Sequence, residues 1–179
     1  MILALTIMAL VAAQRLLELV YAQRNTRALL ARGGREIGRE HYPLFVVLHA
    51  AWLAAIVLAL PRPPTIHWLP LAAYAVLEVL RVWTVLSLGP YWTTRIITLP
   101  DAPLVRRGPY RLLRHPNYAV VIGEITVLPL VFGEVWVAAV FTILNAAVLT
   151  LRVRQENEAL ATRRTMETGP GAGMPATKG

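Results

Sequence analysis

The 179-residue chain is 56% hydrophobic and only 16% charged, with a net charge of +8 and no cysteine. A soluble domain carries about 25% charged residues, so this composition points to an integral membrane protein and leaves no room for a separate soluble domain of ordinary size. The missing cysteines exclude disulfides, thiolate nucleophiles and Cys-ligated metals.

Five apolar segments follow in chain order. The first, Ile2–Tyr21, has the apolar core of a signal peptide but no basic start, and Arg15 and Glu18 stand where a cleavage site would fall. It is expected to be a retained first helix. The second, Leu44–Leu60, stops at Pro61, Pro63 and Pro64. The third, Trp68–Leu88, stops at Gly89-Pro90, and the stretch Tyr91–Pro100 that follows suits an interfacial segment with Tyr and Trp at headgroup level. The fourth, Tyr118–Phe132, is short and contains Pro129. Only Gly133 and Glu134 separate it from the fifth, Val135–Leu151, so the two are expected to form a tight helical hairpin. Arg152–Thr165 has no helix breaker and is predicted to extend the fifth helix. Residues 1–168 thus read as one transmembrane domain, and the Gly/Pro-rich tail 169–179 as disordered.

The basic residues test this layout. Five lie between segments one and two (Arg24, Arg27, Arg32, Arg35, Arg39) and five between three and four (Arg95, Arg106, Arg107, Arg111, Arg114). Five more follow segment five (Arg152, Arg154, Arg163, Arg164, Lys178), and the opposite loops hold Arg62 alone. With five transmembrane helices every basic loop falls on one side, and the positive-inside rule makes that side cytoplasmic and the N-terminus external. Clustering at the ends of apolar segments fits topology better than a phosphate-tracking stripe, so no nucleic-acid partner is expected.

Between segments three and four lies GPYRLLRHPNY, Gly108–Tyr118. Pro109 and Pro116 fix their own φ, and Pro116 disfavours helical geometry at His115, so a helix is predicted to start near Pro116. One reading of this polar loop is a lipid-headgroup anchor, with Arg for phosphates and Tyr for the interface; the other is a functional site. The hairpin brings the loop beside Arg152 and Glu156, which share one helix face. His115, Tyr118, Arg152 and Glu156 are therefore expected to converge. Arg15 with Glu18 and Glu78 with Arg81 have the spacing of local ion pairs, while Glu124 has no obvious local partner. His41, His49 and His67 form no convincing metal set, and no metal is assigned.

The run VRRGPYRLLRHPNY, followed by an apolar hairpin and R-x-x-x-E, resembles the isoprenylcysteine carboxyl methyltransferase family. EHYPLFVVLH and WTVLSLGPYWTTRIITLP resemble a bacterial branch that includes O-methyltransferases of alkylpyrone and alkylresorcinol lipids. The resemblance implies an integral membrane enzyme using S-adenosyl-L-methionine, placed in the bacterial cytoplasmic membrane with its site on the cytoplasmic side. It implies cofactor contacts from Leu104, Val105, Tyr110, His115, Pro116, Asn117, Tyr118 and Glu156. It gives Arg152 the binding of a lipidic acceptor that enters from the bilayer. Glu156-Asn157 departs from the two adjacent glutamates of many relatives. A carboxylate or enolic acceptor needs no strong base, whereas a phenol needs deprotonation, for which His115 is the nearby catalytic candidate. A steroid-reductase-like membrane enzyme using NADPH and a non-enzymatic lipid-binding protein are the competing classes.

Overall fold

The computed structural model describes residues 1–99 and 105–168, with side chains described to residue 154. Leu104 and the tail 169–179 lie outside the described residues. Five α-helices make up most of the described residues: α1 (Ile2–Ala31), α2 (Tyr42–Ala59), α3 (Trp68–Leu88), α4 (Pro116–Val131) and α5 (Val135–Thr168). Its outer surface is apolar, with Leu58 86% and Leu69 83% exposed. Such a surface matches hydrocarbon and not water, and the chain is an all-α membrane protein.

Four helices are long and apolar enough to cross a membrane, namely α1, α2 with the turn before it, α3 and α5. The fourth segment, expected to be short, forms α4, which has 16 residues. Its rise is about 24 Å, against a hydrocarbon thickness of about 30 Å. Helix α4 starts at Pro116, as the His-Pro pair predicts. It packs between α3 and α5. The hairpin turns at Gly133, whose φ of +77° suits glycine, and the ring of His67 packs where a side chain would stand.

Helix α1 runs past Tyr21 to Ala31 because its second half has buried work to do. Asn25 Nδ2 donates to the carbonyls of Gly89 (3.1 Å) and Trp92 (2.8 Å), fastening the end of α1 to the end of α3. Beyond both helices, β1 (Arg35–Ile37) and β2 (Ile96–Thr98) pair antiparallel, with Glu36 opposite Ile97. The expected interfacial segment 91–100 therefore becomes, in its described part, a 3-10 turn at Gly89–Tyr91 and a strand. Trp92, expected at headgroup level, is only 3% exposed. Two connecting loops at one end of the bundle satisfy their backbone groups on each other.

These contacts define two ends. The arginine-rich end gathers the end of α1, the start of α2, the end of α3 and the start of α4. At the other end the His67 N–H donates to Val131 O (2.8 Å), and Trp68 and Trp136 are exposed like interfacial anchors. The apolar core lies toward this second end, around Met8, Trp52, Ile56, Ile125, Leu128 and Phe132.

Midway, the helices share an ionic network. Arg15 pairs with Glu18 (3.4 Å), Glu78 (3.3 Å) and Glu124 (3.0 Å). Arg81 pairs with Glu124 (2.9 Å) and with Glu18. The expected local pair of Glu78 with Arg81 is thus replaced: Arg81 reaches across to α1 and α4, and Glu78 takes Arg15 and Gln14. Glu124, partnerless in the sequence, receives both arginines. Pairing between helices uses more of each guanidinium's donors than an i,i+3 pair can.

Candidate active site

The loop is held by its glycine and its first arginine. Gly108 has φ +56°, and a Cβ there would lie 2.1 Å from Ser87 Oγ at the end of α3. Arg107 Nε donates to the Ser87 carbonyl (2.6 Å). Arg107 therefore clamps the loop to α3, although like Arg111 and Arg114 it is exposed. Gly108–Arg111 forms a 3-10 turn against α3 that buries Pro109 and carries Tyr110. Val105 precedes it, partly buried. The chain then enters α4 at the buried Pro116, with the His115 carbonyl accepting the Tyr118 N–H (3.1 Å). The His115 ring stacks on Tyr118, with centroids 5.2 Å apart and planes 12° apart.

Tyr118 joins the two expected halves. Its hydroxyl accepts a hydrogen bond from Arg152 Nε (3.0 Å). The Arg152 guanidinium lies 5.0 Å from the Phe45 ring centroid and 5.8 Å from that of Tyr118. No carboxylate among the described side chains lies within ion-pair distance of it. Glu156 follows one turn later on α5; its side chain lies outside the described residues.

Arg152, Tyr118 and Asn117 line a cavity of about 430 Å³ bounded by all five helices, α3 through Arg81, and by the segment after α3. Asn117 Oδ1 is buried without a partner among the described residues. His115, Pro116, Tyr110 and Val105 do not line this cavity; they form the loop beside it. The cavity wall is mostly apolar, and its size is that of a small-molecule site.

Sequence reasoning missed several wall residues. His49 was weighed only as a metal ligand. Its Nδ1 lies 2.8 Å from the Phe45 carbonyl, so Nδ1 carries the proton and a neutral ring keeps a lone pair on Nε2. Trp52, Trp92 and Asn145 also line the cavity. One signal existed: Asn145 is a lone amide in the apolar run ILNAAVL. The aromatic residues carried none, because a buried Trp and a lipid-facing Trp look alike in sequence.

Fold and site define a helical membrane protein in which a polar loop and an arginine-bearing helix meet at one end of an apolar cavity. The chain belongs to the isoprenylcysteine carboxyl methyltransferase (ICMT) family, whose pattern residues 68–162 match. That family comprises membrane methyltransferases, and the match contains the loop, α4 and Arg152. The chain is 37% identical over 158 residues to the uncharacterized protein YpbQ of Bacillus subtilis (strain 168), covering 86% of this chain and 94% of that one. It is 27% identical over 158 residues to an uncharacterized protein of Haemophilus influenzae, covering 86% of this chain and 92% of that one. No solved structure matches the chain.

Proposed function

We propose that the protein is an S-adenosyl-L-methionine-dependent O-methyltransferase for a lipidic acceptor. The observation that carries this reading is the 3.0 Å bond from Arg152 to Tyr118 at the wall of an apolar cavity. It joins the two elements, HPNY and R-x-x-x-E, that mark the family, and does so where a lipid and a water-soluble cofactor can meet.

The residues fit the cofactor. Asn117 Oδ1 is an orphaned buried acceptor suited to an amino group. The stacked His115–Tyr118 pair offers an aromatic surface, and the loop that carries it is fixed to α3 through Gly108 and Arg107. Leu104, Val105, Tyr110, Pro116 and Glu156 complete the set by family pattern. The cofactor supplies a methyl group on a positively charged sulfur, and the C–S electron pair stays on sulfur when the acceptor oxygen takes that methyl.

The chain's own contribution is positioning and electrostatics. Arg152, with Nε held by Tyr118, presents its remaining N–H groups as a fork for a carboxylate or enolate. An acceptor already anionic at neutral pH needs no base. For a hydroxyl acceptor, His115 in the loop and His49 Nε2 in the cavity wall are the two imidazoles at hand. In the same reading the arginine-rich end faces the cytoplasm, where the cofactor is, and the acceptor reaches the cavity from the bilayer.

The decisive experiment is transfer of labelled methyl groups from S-adenosyl-L-methionine to a total lipid extract by the purified protein, with mass identification of the product. A prenylcysteine analogue is the control acceptor. Absence of cofactor binding by calorimetry would sink the proposal.

A further inference from the structure

The buried polar atoms that lack partners are not spread evenly through the described residues. They concentrate on the cavity. Arg15 Nε, Trp52 Nε1, Trp92 Nε1, Asn117 Oδ1 and both amide atoms of Asn145 belong to residues that line it, and none has a hydrogen-bond partner among the described residues. Asn145 is 0% exposed, Trp52 1% and Trp92 3%. Each such atom bears the full cost of desolvation unless something in the cavity bonds to it. Both amide atoms of Asn145 are orphaned, so it offers a donor and an acceptor whichever way its amide is flipped, whereas Asn117 contributes one orphaned atom.

Donors dominate this set. Two indole N–H groups and one guanidinium N–H join the two amides. A saturated or isoprenoid hydrocarbon chain has nothing to offer them, whereas carbonyl, ether and hydroxyl oxygens do. The donors also lie at two depths. Asn145 is seven residues before Arg152 on α5, which by helical rise places it about 10 Å deeper in the bundle. Val121 and Leu149 give this part of the lining apolar surface, and Arg15, Glu18 and Arg81 of the ionic network line the cavity as well.

We infer that the cavity binds an oxygenated lipid, one that carries a hydrogen-bonding oxygen partway along its apolar body as well as the anionic group facing Arg152. Asn145 and Trp52 recognise that inner oxygen. That the same lipid is the methyl acceptor rests on the proposed function; that the cavity selects oxygenated lipids rests on the orphaned donors.

Binding alone tests this, without cofactor or turnover. Full-length protein in nanodiscs is titrated with octadecanoic acid and with 10-oxooctadecanoic acid, identical except for a mid-chain carbonyl, following Trp fluorescence. The oxo acid should bind at least about tenfold more tightly, as expected when a buried donor gains its acceptor. Asn145→Leu, which removes the orphaned amide and so should fold at least as well, should bring the ratio of the two affinities close to one. Trp52→Phe, which keeps the ring and removes the N–H, should lower it partway. Equal binding of the two acids by the unmodified protein overturns the inference, because water in the cavity then satisfies the amide. So does a preference that survives both substitutions. A protein that prefers the oxo acid yet methylates no lipid keeps this inference and loses the methyltransferase reading; one that methylates lipids with no such preference does the reverse.

Discussion

Arg152 is the residue on which the site turns. Its Nε is committed to Tyr118 and its face to two aromatic rings, which fixes the direction of the remaining donors. Arg152→Met should lower kcat/KM for an anionic acceptor by about 10- to 100-fold, the worth of one charge-assisted hydrogen bond. Arg152→Lys should recover little, because a point charge cannot reproduce the fork. Tyr118→Phe keeps the ring and removes the hydroxyl that accepts from Nε, and should cost less than either, measured by the same methyl-transfer assay. The convergence of Tyr118 with Arg152 was legible in the sequence, because a two-residue hairpin turn fixes which helix ends are neighbours. The cavity-facing donors were not, since burial without a partner is a property of the packed molecule.

At the scale of elements, two joints give different signals. In the first, α1, α3 and α4 are held by an ionic network that includes Arg81, 8% exposed. Arg81→Met leaves Glu18, Glu78 and Glu124 to share Arg15 alone and should lower stability by about 3–5 kcal/mol, read as a fall in Tm in detergent. The second joint is the turn between α4 and α5. Glu134 there is 8% exposed, and neither carboxylate oxygen has a partner among the described residues. Burial raises its pKa to about 7. Below the ordinary carboxylate range the group is protonated whether the chain is folded or not, and it adds no pH dependence to stability. As pH rises from about 4.5 to 7 the unfolded chain ionises first, so stability falls across that window and stays low above it. Glu134→Gln should flatten this dependence and raise Tm above that of the unmodified protein at pH 8, with little difference at pH 4.5.

The whole molecule is organised by its two ends. Since the chain has no cysteine, single cysteines can report which end faces which compartment. Arg62→Cys should react with an impermeant maleimide in intact cells, and Arg39→Cys only after the membrane is opened. The reverse labelling pattern would place the loop, and with it the proposed cofactor site, on the wrong side for a cytoplasmic cofactor. Helix α4 does not by itself span the hydrocarbon thickness; it is shielded between α3 and α5, and short helices are tolerated where protein, not lipid, surrounds them. Its shortness was legible in the sequence, in the brief apolar run Tyr118–Phe132 with Pro129 inside it.

The sequence alone determined what depends on local chemistry and order along the chain. Apolar runs gave the helices, prolines and glycines their ends, arginines the common face of the loops, and the HPNY and R-x-x-x-E elements the family. The tertiary structure decided what depends on which surfaces meet. It sent Arg81 to Glu18 and Glu124 instead of Glu78, turned an expected interfacial segment into a strand paired with Arg35–Ile37, and buried Trp92. It also left the partnerless donors around one cavity. Composition fixes that charges and indoles in a bilayer must find partners; only the packing of five helices fixes which partners are within reach.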